Sequence, residues 1–331
     1  MKRIVGILVA LLLILLVLWQ VDFKHLLEHL SVINKMIIVF LCGIQLITLL
    51  LINLQWKSIA KQVGEDVKLQ EMISINMSGK FVECVTPSAK AGGEAVKIFL
   101  LKKKLGIQAG KAAAIVSIHK AISMSVFVFV NIISIVWFLT TVKTETAYTS
   151  TLFISLLILV VALILLISLI LYPTKASKLL SFFLSENRKR KIEYAVVCFR
   201  DTIDLIVAQK KAILFQLFFS LLIWSLFAFK AVILAWNLNL EISFIAVSVV
   251  TYLSYMIAVV PLLPGGVGTF EAGMVFLLVP LGISFHQGMA LALALRFVTF
   301  WFVFVMSILY IGVDKLKGTE IFKNFKKREI Y

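Results

Sequence analysis

The chain has 331 residues, of which 61% are hydrophobic and 15% charged, with a formal net charge of +16. A soluble domain runs nearer half apolar and a quarter charged, so the composition excludes a soluble enzyme and points to a membrane protein. With the N-terminus taken as cytoplasmic, 25 of the 33 lysines and arginines fall in cytoplasmic loops and 3 in outer ones, so the basic charge reports topology and not nucleic acid.

In chain order, apolar runs occupy residues 4–19, 36–54, 112–140, 151–172, 212–236 and 288–313. Each is roughly long enough to cross a ~30 Å hydrocarbon core at 1.5 Å per residue. The first follows Lys2 and Arg3 and lacks a small-x-small cleavage site, so it reads as a retained anchor helix. Residues 173–211 form a cytoplasmic amphipathic segment. There Ile192, Val196, Phe199, Ile203 and Ile206 recur at helical spacing, which predicts a helix lying on the membrane interface.

Two segments, 72–101 and 242–283, read as apolar arms around a Pro/Gly break. The first contains KFVECVTPSAKAGGEAVKIFLL and the second VVPLLPGGVGTFEAGMVFLLVP. Pro87 precedes Glu94 by seven residues, and Pro264 precedes Glu271 by seven. Proline and glycine free backbone groups at membrane depth, which is tolerated only where protein or water surrounds them. The first segment starts and ends beside cytoplasmic lysines, the second between Glu241 and His286 outside. The expected fold is therefore all-α: one integral membrane domain over residues 1–331, a polytopic transmembrane helical bundle. It has about six full spans plus two re-entrant broken-helix hairpins in inverted orientation, which is transporter geometry.

The candidate binding residues cluster at the breaks. Glu94 and Glu271 begin the second arms, where free N–H groups either receive the glutamate as a cap or form a polar site with it. Gly92 and Gly93, then Gly265, Gly266 and Gly268, keep that backbone open, and Pro87 and Pro264 are the structural breaks. Lys90, Glu94 and Lys97 share a helical face. Arg296 lies about nine residues into the last span, roughly 13 Å deep. It shares a small, polar face with Gly288, Ala292 and Thr299. It suits either an ion pair with Glu271 or a phosphate, which its guanidinium fork matches. Lys120 and Lys230 are expected to snorkel toward the surface. No catalytic motif, metal-ligand spacing or cofactor fingerprint occurs, so catalytic residues, metal and cofactors are all expected to be none. Cys42, Cys84 and Cys198 read as packing residues, and His25 and His29 as a solvated face.

At TPSAKAGGEAVKIFLLKKK, LLPGGVGTFEAGMV and ALRFVTFWF the sequence resembles the lysylphosphatidylglycerol synthase transmembrane region. That family includes the flippase half of multiple peptide resistance factors and stand-alone membrane proteins. The resemblance covers nearly the whole chain. It implies movement of a lipid with a charged or phosphorylated headgroup between leaflets. The residues it carries over are Pro87, Gly92, Gly93, Glu94 and Lys97, then Pro264, Gly265, Gly266, Gly268, Glu271 and Arg296. Where members often have an acidic–basic pair early in the third span, this chain has His119 and Lys120. The soluble aminoacyl-transfer domain of full-length members is not found here, so synthesis of lysylphosphatidylglycerol by this chain alone is not expected.

The leading expectation is thus a lipid translocase in a bacterial-type cytoplasmic (inner) membrane, with both termini cytoplasmic. Its partners would be an anionic or aminoacylated phospholipid or a polyprenyl-phosphate lipid, and a homo-oligomer is compatible with the sequence. The alternatives are a membrane-embedded transferase acting on phosphatidylglycerol or polyprenyl phosphate, and a non-catalytic subunit docking through residues 173–211. Topology is testable directly. Cysteines placed beside Lys189 and Lys326 should be shielded from impermeant thiol reagents in intact cells, and one beside Thr146 should react. Labelling at 189 from outside overturns the orientation.

Overall fold

A computed structural model describes residues 33–86, 91–142, 146–174, 186–259 and 264–316. The predicted first span, with His25 and His29, lies outside them, as do Pro87 and Lys90. Among the described residues the regular structure is entirely helical. That is what a chain must adopt where no water can satisfy its backbone.

The helices, in order, are α1 (Lys35–Gln62), α2 (Leu69–Val85), α3 (Ala91–Leu105), α4 (Ala109–Thr141), α5 (Thr146–Leu171), α6 (Glu186–Ala208), α7 (Lys210–Asn237), α8 (Phe244–Ile257), α9 (Thr269–Leu278), α10 (Phe285–Arg296) and α11 (Phe302–Leu316). A π-helical turn, Phe297–Trp301, joins the last two. Among the described residues, five stretches are long and apolar enough to cross a membrane: Lys35–Gln62, Ala109–Thr141, Tyr148–Leu171, Lys210–Asn237 and Phe285–Val313. They coincide with five of the six expected spans. Their starts are set locally. Asn34 caps α1 by accepting from the Met36 N–H at 2.9 Å, and Ser284 and Gln287 form a capping box on α10. α5 leaves Phe153, Leu157 and Leu165 more than half exposed, an apolar outer face suited to lipid.

Three contacts fix which helix ends meet. Gln209 donates to the Gln62 carbonyl at 3.1 Å, and Lys111 pairs with Glu65 at 2.7 Å. The end of α1 and the starts of α4 and α7 therefore share one end of the bundle, the lysine-rich one. At the opposite end the Asn34 N–H donates to Asn237 Oδ1 at 3.1 Å.

Both breaks separate paired helices. α2 and α3 pack as an antiparallel hairpin: Ser74 near the start of α2 accepts from Lys104 near the end of α3 at 2.7 Å, while Glu83 meets Lys97. This hairpin opens at the lysine-rich end. α8 follows α7 at the opposite end and packs on α9, with the Pro264–Gly266 turn between them resting on α2. Gly93 permits the first hairpin, because a Cβ there would lie 2.6 Å from the Gly79 carbonyl oxygen. Gly265, Gly266 and Gly268 have φ of 63°, 68° and 82°, the left-handed region that a side chain disfavours.

Two expectations change. The stripe on residues 173–211 forms α6, but Ile203 and Ile206 are buried and Phe199 packs with them against the same core as α4. The face predicted to meet lipid is covered by protein, because Gly110 lets α4 approach the α6 backbone. Lys230 does not snorkel. It is fully buried and donates to Gln45 Oε1 and Thr48 Oγ1 of α1.

Candidate functional site

The first break carries a chain of alternating charges. Lys80 and Glu83 lie one turn apart near the end of α2, and their side chains pair at 2.8 Å. Glu94 and Lys97 lie one turn apart at the start of α3 and pair at 3.3 Å. The antiparallel approach brings Lys97 within 3.1 Å of Glu83, and α4 adds Lys120 at 3.7 Å from Glu94. Lys97 is only 4% exposed and Glu83 7%. Burial of such charges is tolerated because each carboxylate contacts two ammonium groups.

These charges line a partly open cavity of about 130 Å³ bordered by α1, α2, α3, α4 and α7. That is the liquid volume of roughly four waters. α1 contributes Asn53, Gln55 and Trp56. Asn53 accepts from Asn76 at 2.8 Å, and Gln55 donates to Ser220 at 2.8 Å. Lys97 Nζ sits 5.1 Å over the Trp56 ring, which lies 4.5 Å from the His119 ring. Trp56 Nε1 and both His119 ring nitrogens are buried, with no hydrogen-bond partner among the described residues. Buried polar atoms are rarely left so, and a guest with acceptor oxygens would satisfy the Trp56 N–H and the one His119 nitrogen that carries a proton. Three lysines face two glutamates here, which leaves a positive excess. A larger space of about 420 Å³ lies between the start of α1 and the end of α10, but its lining is apolar apart from Lys35.

The second break is built differently. Glu271 Oε2 accepts from the Gly268 N–H at 2.7 Å, capping α9, and Oε1 pairs with Arg296 Nε at 3.2 Å. Arg296 Nη2 also donates to the Gly265 carbonyl at 2.8 Å. Its guanidinium lies between Phe270, 4.8 Å away, and Phe300, 4.9 Å away. Both roles weighed for Glu271, helix cap and ion-pair partner, are therefore realised, one on each oxygen. The arrangement clasps the turn to the last span.

The sequence-predicted residues thus fall into two groups. Glu94 and Lys97 meet at the cavity, with Gly93 setting the approach of their helix. Arg296, Glu271, Gly265, Gly266 and Gly268 form the clasp and do not line that cavity. Lys80, Glu83, Asn53 and Trp56 escaped the sequence reading. The available signals were a Lys/Glu pair one turn before the first break and amides at the end of an apolar run. Among the described residues no group of three His, Cys, Asp or Glu side chains is arranged to hold a metal ion.

Fold and cavity define a polytopic α-helical membrane protein with a partly open, positively biased chamber. The chain belongs to the lysylphosphatidylglycerol synthase transmembrane-region family, which matches residues 3–307. It is similar to UPF0104 membrane proteins of three organisms. The Methanothermobacter thermautotrophicus protein is 23% identical over 275 residues, covering 80% of this chain and 81% of that one. The Methanocaldococcus jannaschii protein is 24% identical, covering 96% and 98%. The Pyrococcus horikoshii protein is 22% identical, covering 91% and 94%.

Proposed function

We propose that this protein is a lipid translocase that moves a phospholipid, or another lipid with an anionic headgroup, between leaflets of the cytoplasmic membrane. The observation that carries this reading is the chamber at the first break. It is a partly open recess lined by Lys80, Lys97 and Lys120, with Lys97 buried. A headgroup phosphate entering it meets the lysine excess and the unpartnered Trp56 and His119 nitrogens, while the acyl chains stay in the surrounding lipid. Glu83 and Glu94 hold the three ammonium groups in place before the anion arrives. Such preorganisation lowers the ordering cost of binding.

In this reading both termini are cytoplasmic and the two hairpins re-enter the bilayer from opposite faces. Rocking of one hairpin against the long helices then exposes the chamber to each side in turn. Arg296, Glu271 and the glycines at 265, 266 and 268 hold the second turn rigid during that motion. Both cavity carboxylates are engaged by lysines, which makes either a poor general base and favours transport over group transfer.

The test is leaflet exchange in phosphatidylcholine vesicles carrying fluorescent phosphatidylglycerol, read with a membrane-impermeant quencher. Protein-dependent exchange with no new lipid product is expected. A covalent product from phosphatidylglycerol or a polyprenyl phosphate would instead make the protein a transferase, and neither outcome would make it a subunit of another enzyme.

A further inference from the structure

Lys230 takes no part in the chamber, yet its burial needs a reason. It is fully buried in an apolar helix, where a lone ammonium is costly. Among the described residues its partners are neutral: the side chains of Gln45 and Thr48, the latter at 3.2 Å, with no carboxylate. Its ammonium also lies 4.3 Å over the face of Phe227. Phe227 is itself part of the chamber wall, and so is Leu49, the residue after Thr48. One aromatic ring therefore separates Lys230 from the chamber.

The helix rise places the two sites along the bundle. Ser220 and Lys120, which line the chamber, lie ten and eleven residues into α7 and α4, about 15 Å from the lysine-rich end. Lys230 lies seven residues before the end of α7, about 10 Å from the opposite end. Ile223 and Trp224, which also line the chamber, sit at the midpoint of α7, and Lys230 lies about 10 Å further toward the opposite end.

We infer that Lys230 is a second anion-binding station for the phosphate of the transported lipid, on the far side of the chamber, with Phe227 as the gate between the two. This inference rests on the translocase reading. A phosphate that passes Phe227 supplies the negative charge that Lys230 lacks, and Gln45 and Thr48 release the ammonium to it. Without such a station the anion would cross the second half of the core unpaired, the costlier route. A cation held only by neutral groups exchanges partners readily.

The experiment uses the full chain in phosphatidylcholine vesicles with fluorescent phosphatidylglycerol, and measures phosphatidylglycerol retained by the purified protein in parallel. For Lys230→Met, retention should stay within about threefold of wild type while exchange falls at least about tenfold, since the chamber is intact and only passage is blocked. Lys230→Arg should keep a third or more of the exchange, because the charge survives. Should Lys230→Met fail to fold, Lys230→Gln carries the same expectation. Wild-type exchange in the neutral variant overturns the inference. So does a parallel loss of retention and exchange, which would make Lys230 a support of the chamber. If wild type exchanges no lipid, or passes entrapped glycerol phosphate and not the lipid, the translocase reading fails and the inference with it.

Discussion

Lys97→Met should reduce lipid exchange at least about a hundredfold while lowering stability by only about 1–3 kcal/mol. The asymmetry follows from the charge chain. Lys97 is its central cation and lies over Trp56, so its removal takes away the buried positive charge nearest the unpartnered nitrogens. Glu83 keeps Lys80 at 2.8 Å and Glu94 keeps Lys120 at 3.7 Å, so neither carboxylate is stranded. Exchange and thermal unfolding should be measured on the same preparation. Exchange within a few-fold of wild type, at normal expression, would show that the chamber does not bind the headgroup. Phosphatidylglycerol retention should fall in step with exchange, the opposite of the pattern expected at Lys230.

Arg296→Ala carries the inverse signature, with stability reduced by about 3–5 kcal/mol, because breaking one side of a buried pair leaves an uncompensated charge. Glu271 would stay buried with only its cap bond to Gly268, and the Gly265 carbonyl would lose its donor. Arg296→Lys keeps the charge but cannot form both bonds with a planar fork, so an intermediate loss is expected. In the double variant Glu271→Gln with Arg296→Met, the amide still caps α9 and no charge is buried. Its unfolding midpoint should recover most of the way, with exchange within about tenfold of wild type. A double variant that is stable yet inactive would place Arg296 in contact with the headgroup, as the family resemblance implies. The two clusters are thus separable: one variant loses transport before stability, the other stability before transport.

The sequence by itself determined the class of fold. Spans 36–54, 112–140, 151–172, 212–236 and 288–313 were legible because hydrophobic length is a one-dimensional property, read off without knowing any neighbour. The two breaks were legible for a similar reason: proline and glycine act on the backbone where they stand. Glu94 and Lys97 were found because a helix turn joins them, and Glu271 because it opens a helix after glycines. Partners across helices were not legible. Glu83 reaches Lys97 only because Gly79 and Gly93 let α2 and α3 approach, and nothing in the spacing shows which faces meet. The stripe on α6 specified a buried face but not whether lipid or α4 would cover it. Lys230 near a span end looked free to snorkel, until the packing of α1 against α7 enclosed it between Gln45, Thr48 and Phe227. Burial of a charge depends on what surrounds it in three dimensions, and that was decided only when the helices packed.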